Sequence, residues 1–169
     1  MLTKKANLFR VINNIYYKKD EPISLVHFIT NRCNARCSFC FIDFENSDSF
    51  KDELSLDEIN KLTKGLGKSL LNVNLTGGEP FARKDIIDVA KIYLKNTTVQ
   101  SLYITTNASL PDRIENFAKT INSIDRELDL NFQISIDDLP ENHDKVRKVE
   151  NLFDNCMDAY WRLKKINLK

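Results

Sequence analysis

The sequence predicts an α/β fold, a parallel sheet with crossover helices behind a short N-terminal helix. Three observations carry this. Four apolar runs have the length and the β-branched or alternating composition of strands. Each is followed by a segment whose apolar residues recur at helical spacing. The residues with chemical potential fall just after the strand-like runs, where the sites of α/β proteins lie. Strict strand–helix alternation with short turns implies right-handed crossovers between parallel strands, and both a doubly wound sheet and a barrel satisfy it.

Leu8, Val11, Ile12, Ile15 and Tyr16 share one helical face, so residues 1–21 read as a short amphipathic helix and lead-in, and 22–169 as the main domain. ISLVHFIT (23–30) is the first strand. Ser55 and Glu58 form a capping box that opens a helix carrying Leu56, Ile59, Leu62 and Leu66, closed by Gly65 and Gly67. LNVNLT (71–76) alternates as a strand and runs into Gly77-Gly78-Glu79-Pro80. Ile86, Val89, Ala90, Tyr93 and Leu94 mark the next helix, and SLYITTN (101–107) the third strand. Pro111 opens a helix with Ile114, Phe117, Ile121 and Ile124. LNFQISID (130–137) is the fourth strand. One last helix is expected to carry Val146, Val149, Phe153, Cys156, Tyr160 and Leu163.

The 169 residues suffice for one domain with a sizeable core, and 42% hydrophobic with 29% charged residues is ordinary for a globular chain. A net charge of +1 offers no evidence for a nucleic-acid partner. No apolar run reaches the roughly 20 residues of a membrane span, and the basic, polar-interrupted N-terminus is no signal peptide, so the expected compartment is the cytoplasm. In that reducing setting disulfides are not expected among the four cysteines, and the tight cluster of three points to metal or redox chemistry. Cys156, in the apolar stripe of the last helix, reads as a core residue.

Cys33, Cys37 and Cys40 stand within eight residues. Three thiolates on one loop can hold one face of an iron–sulfur cube, which normally takes four, so one iron stays open for another ligand. Two other readings compete. A structural zinc site would want a second Cys or His pair, and neither His27 nor His143 supplies one. A ferredoxin-type electron carrier has a different spacing and a fourth Cys. Gly77 and Gly78 permit close backbone approach to a ligand, and Glu79 beside them can accept hydrogen bonds from an ammonium.

The Cys-x-x-x-Cys-x-aromatic-Cys loop resembles the signature of the radical S-adenosylmethionine (SAM) superfamily, and Gly77-Gly78-Glu79-Pro80 resembles its GGEP motif. The resemblance, over roughly residues 20–150, implies a [4Fe–4S] cluster on Cys33, Cys37 and Cys40. It implies SAM on the open iron, reductively cleaved to a 5′-deoxyadenosyl radical that abstracts hydrogen from a substrate. It places Phe39 near the adenine and gives Gly77, Gly78 and Glu79 to the SAM amino group. Ser135-Ile-Asp137-Asp138 with His143-Asp144-Lys-Val-Arg147 resembles a stretch of the enzymes that modify peptides and proteins, often with a C-terminal SPASM domain. There Ser135 and Asp137 would lie near the ribose and carboxylate, and Arg147 would offer its planar fork to the carboxylate. The sequence departs from that pattern at Asp138 and Lys148, where the family has glycines; separately, Thr105-Thr106-Asn107-Ala108 resembles the family's strand-3 T-N-G with Ala for Gly, which implies that Asn107 lines the site.

The implied fold is a partial TIM-type (βα) barrel, with about four units present of an expected six, so a C-terminally truncated core is expected. A peptide or protein substrate and a reductase or flavodoxin-type electron donor are the implied partners. The fourth strand, with no neighbour beyond it, is expected to promote self-association. The alternative function is an iron–sulfur electron-transfer or binding module without SAM cleavage. No residue is assigned as catalytic.

Overall fold

A computed structural model describes residues 7–51, 53–125 and 127–168. Helix α1 (Leu8–Asn13) continues into a π-helical turn (Asn14–Lys18). Four strand–helix units follow: β1 (Ser24–Thr30) and α2 (Leu56–Gly65), β2 (Asn72–Gly77) and α3 (Ile86–Asn96), β3 (Ser101–Thr106) and α4 (Pro111–Ile124), then β4 (Asp129–Ile134) with α5 (Pro140–Arg147) and α6 (Leu152–Lys165). Short 3₁₀ turns at Ser47–Phe50 and Pro80–Ala82 lie in the first two strand–helix loops. The four strands are parallel in the order β1-β2-β3-β4, the arrangement of a partial barrel wall.

Register makes the sheet two-faced. Leu25, Val73, Leu102 and Leu130 form one row across it, and His27, Leu75, Ile104 and Phe132 the next. These rows pack under the helices with Phe81, Val89, Tyr93, Phe117 and Ile121 in one apolar core. Phe81, Phe117 and Phe132 meet as a ring cluster with centroids 5.6–6.5 Å apart. The other face carries Val26, Asn74, Tyr103 and Asn131 in one row, with Phe28 opposite Thr76 and Thr105 opposite Gln133. Each of these is at least partly exposed. Parallel sheets are usually covered on both sides; here the second face is open among the described residues.

The Ser55–Glu58 capping box forms as expected, the Ser55 hydroxyl accepting from Glu58 N and the Glu58 carboxylate from Ser55 N. Two other expectations need correction. The apolar stripe of the first helix is not buried: Leu8 is 71% and Tyr16 69% exposed, and Val11 is the hydrophobe that turns inward. Polar ties dock this segment instead. Asn14 accepts from Asp20 N and Glu21 N and donates to Glu21 O at 2.6 Å. The Glu21 carboxylate takes Arg10, the Lys68 N–H at 3.0 Å and the Ser69 hydroxyl at 2.6 Å.

The second correction is the last helix, which is two. Lys148 (φ 55°) and Asn151 (φ 56°) are left-handed, ending α5 and opening α6. The apolar spacing runs unbroken across this break in the sequence, so periodicity alone conceals it. Asp144 accepts from Phe153 N at 2.9 Å and pins the corner. Leu152, Cys156, Ala159 and Leu163 are buried, while Tyr160 turns outward.

Two outcomes follow. Lys148→Gly should stabilise the chain by roughly 0.5–1 kcal/mol, because glycine avoids the left-handed cost of a Cβ and returns only part of it in backbone entropy; urea unfolding at neutral pH measures this. Arg10 and two further donors hold the Glu21 pKa down at about 2, against 4.5 in the unfolded chain. A depressed carboxylate stabilises above its unfolded value and loses that contribution as pH falls, so unfolding free energy should decline from pH 4.5 toward about 2. Glu21→Gln should flatten that decline and cost on the order of 1 kcal/mol at pH 7, the ion pair being partly solvated.

Candidate metal centre

The loop after β1 carries Cys33, Cys37 and Cys40, and every neighbouring loop grips it. From β2, Gly78 N donates to Thr30 O at 2.7 Å and Glu79 N to Arg32 O at 2.8 Å. This contact is why glycines are required. A Cβ on Gly77 (φ 133°) would lie 2.1 Å from Thr30 O, and one on Gly78 2.3 Å from Arg32 O. The close approach the glycines allow is thus to the backbone of the cysteine loop. From α5, the last-turn carbonyls of Arg147 and Val146 accept from Arg36 N (3.0 Å) and Ser38 N (3.3 Å). From the β3 loop, Asn107 Nδ2 donates to Asn34 Oδ1 at 3.1 Å and to Cys33 Sγ at 3.7 Å.

Glu79 turns inward, with 0% of its surface exposed. Its Oε1 accepts from Phe81 N (3.0 Å) and the Thr106 hydroxyl (2.8 Å), and its Oε2 from Asn107 N (2.7 Å). Burial pushes its pKa up, and these three donors pull it back in part. The carboxylate therefore joins the β2 and β3 loops.

Cys33, Cys37, Phe39, Cys40, Gly77, Gly78, Ser135 and Arg147 line one cavity of about 160 Å³ at the strand C-termini, together with Thr76, Thr106, Asn107 and Phe41. Glu79 and Asp137 lie outside that lining. Asp137 engages Arg147 bidentately, accepting from Nε at 2.6 Å and Nη2 at 2.9 Å, and the guanidinium holds the Asp137 carboxyl below its usual value. The Arg147 guanidinium lies 5.8 Å from the Phe39 ring centre. His143 is fully buried and accepts from Asp137 N at 3.3 Å, holding the β4–α5 loop; burial lowers its pKa. Cys156 is buried and donates to Asn107 O at 3.4 Å.

The three clustered thiols are half-buried and unpaired. Burial raises the Cys33 and Cys37 pKa values, so a bound metal ion would have to displace their protons. Among the described residues no three His, Cys, Asp or Glu side chains gather as ligands of one ion. A cubane offers a separate iron to each thiolate, so its ligands need not converge, and this donor set fits a cube better than a mononuclear site. Sequence reasoning missed the part played by Thr106 and gave Asn107 only its place beside the site. It could not have found the α5 carbonyls, which any residue supplies.

Glu79→Gln tests the inward role. The amide would face the Asn107 N–H donor to donor, leaving a buried group unsatisfied. The cluster-free protein should lose about 1–3 kcal/mol in urea unfolding. A purely ligand-binding carboxylate would leave that stability unchanged.

Known proteins share parts of this sequence and this fold. GTP 3′,8-cyclase of Yersinia pestis is 39% identical over 82 residues, 47% of this chain and 24% of that enzyme. Fe-coproporphyrin III synthase of Methanosarcina barkeri is 32% identical over 145 residues, 85% of this chain and 34% of the relative. The chain thus spans about a quarter to a third of these relatives. Among solved structures, Streptococcus suis SuiB bound to precursor peptide SuiA superposes with a TM-score of 0.67 at 20% identity, over 95% of this chain and 35% of SuiB. Native anSMEcpe with bound AdoMet gives 0.65 at 21%, over 88% of this chain and 42% of that one. The Radical SAM superfamily model matches residues 28–169, and the chain belongs to that superfamily.

Proposed function

We propose that this chain forms the cluster- and SAM-binding part of a radical SAM enzyme that acts on a peptide or protein. The observation that carries the reading is the convergence of three half-buried thiols and the Gly77–Gly78 wall on one cavity at the strand C-termini. When bound, the cluster and SAM supply a 5′-deoxyadenosyl radical for hydrogen abstraction. Cys33, Cys37 and Cys40 would hold the cluster by three of its irons, with the remaining coordination open to SAM.

Gly77 and Gly78 border the cavity, and they meet the SAM amino group while Glu79 braces them from behind. Ser135 and Phe39 face the nucleoside. Asp137 occupies Nε and Nη2 of Arg147, so Nη1 is the nitrogen offered to the SAM carboxylate. Asp137 serves SAM through Arg147.

The open sheet face favours an uncharged, amide-bearing substrate. Thr105 donates to Gln133 Oε1 at 2.8 Å and lies 3.2 Å from Asn74 Oδ1, and Asn74 Nδ2 donates to Gln133 at 3.4 Å. The rows of Val26 and Phe28 carry no acidic or basic side chain. A nucleoside triphosphate would want cations there, whereas peptide groups match amides and hydroxyls. The electron comes from an external reductase or flavodoxin-type donor in the cytoplasm. β4 pairs with β3 alone among the described strands, and its free edge is the place for self-association. A plain electron carrier has no use for Ser135 and Arg147 on the cavity wall, which disfavours the alternative.

Anaerobic reconstitution should give a brown protein with about four irons, lost on Cys33→Ala, Cys37→Ala or Cys40→Ala and kept on Cys156→Ala. SAM should change the EPR signal of the reduced cluster. An iron-replete protein whose signal ignores SAM would leave only the electron-transfer function standing.

A further inference from the structure

We propose that Asn107 sets the reduction potential of the cluster by donating a hydrogen bond from Nδ2 to the Cys33 thiolate. The inference rests on the cluster reading above and adds a positioning and tuning residue to it.

The polar groups of Asn107 are all committed. Its N–H donates to Glu79 Oε2 at 2.7 Å, and its carbonyl accepts from Cys156 Sγ at 3.4 Å. Its side-chain Oδ1 accepts from Ser109 N at 2.9 Å. Nδ2 then has two protons for two acceptors, Asn34 Oδ1 at 3.1 Å and Cys33 Sγ at 3.7 Å. Those partners fix the amide orientation. Reversed, the NH₂ would meet the Ser109 N–H, and the carbonyl would face an oxygen and a sulfur. Asn107 is 4% exposed, so its amide is largely shielded from water. Ala35 N gives Cys33 Sγ a second donor at 3.4 Å. Cys37 Sγ meets its own backbone N–H but no side-chain donor among the described residues, so Cys33 is the ligand that a side-chain amide singles out.

The consequence is electrostatic. Reduction adds negative charge to the cluster and its sulfurs, and a donor aimed at a thiolate stabilises the reduced form more than the oxidised one. Asn107 thus raises the potential and makes electron entry easier. Glu79 takes part at one remove, since its carboxylate holds the Asn107 backbone.

The test is a redox titration of the reconstituted full chain, followed by EPR, with iron content measured in parallel. Asn107→Leu removes the donor at similar size. Asn107→Asp also removes it and keeps the acceptor for Ser109. Both variants should retain four irons and be harder to reduce, with about a tenfold smaller reduced-to-oxidised ratio at a fixed potential, equivalent to roughly 59 mV for one electron. A wild-type potential in either iron-replete variant overturns the proposal. Loss of iron in both also overturns it, since Asn107 would then hold the cluster rather than tune it. Retention of four irons by Cys33→Ala would instead defeat the ligand assignment beneath it.

Discussion

The Glu79 carboxylate holds the centre together. Burying a carboxylate is costly unless its lone pairs are met, and here two backbone N–H groups and one hydroxyl meet them. The donors come from the Pro80–Ala82 turn and from the end of β3. The loops of two strands are therefore fixed relative to each other before any cofactor enters. The backbone N–H of the same residue reaches Arg32 O, and Gly78 N reaches Thr30 O, which carries the constraint to the loop after β1. Asn107, fixed at its N–H by Glu79, then directs its amide at Cys33. The Glu79 side chain thus joins two loops, and the backbone N–H groups of Gly78 and Glu79 add the third.

The two-faced sheet gives this loop cluster its setting. The helices complete an apolar core on one side only. On the other, amides, hydroxyls and a few exposed hydrophobes lie beneath the cavity. Side chains alternate faces along a strand, so the same six or seven residues of each strand serve both stability and recognition. A one-residue register slip would exchange the two. The Phe81–Phe117–Phe132 ring cluster resists such a slip by locking β4 to the 3₁₀ turn and α4.

Much of this was legible in the sequence. The strands fall within a few residues of the apolar runs, since alternation and β-branching are local signals, and the capping box identifies the start of α2. The cysteine spacing and the two glycines of GGEP fall on the cavity wall because loop position follows from strand order, while Glu79 turns away from it. Three features were not legible, each for a physical reason. Whether Glu79 points inward or toward a ligand depends on donors that β3 supplies from elsewhere in the chain. The stripe of α1 reads as amphipathic, yet an isolated apolar face has no partner written beside it, and the polar hub of Asn14 and Glu21 docks the segment. The α5–α6 break is silent because a left-handed lysine sends no signal that a glycine would have sent.

That last point bears on how the family's loop shapes survive here without their glycines. Ala108 (φ 57°) and Lys148 (φ 55°) both adopt the left-handed conformation at the positions where the resemblance expects glycine. Each pays on the order of 1–2 kcal/mol for its Cβ, so the surroundings must hold the geometry. At Ala108 they do so with the Thr106 hydroxyl, which accepts from Ala108 N at 2.9 Å while donating to Glu79. At Lys148 the α5 carbonyls before the bend are engaged, Asp144 O by the helix cap and those of Val146 and Arg147 by the cysteine loop. Asp138 behaves differently. It has no positive φ, and its carboxylate accepts from Leu139 N at 2.7 Å. Two departures thus keep a left-handed backbone at a cost in strain, and the third has no left-handed residue to strain. All three leave Ser135 and Arg147 on the cavity wall.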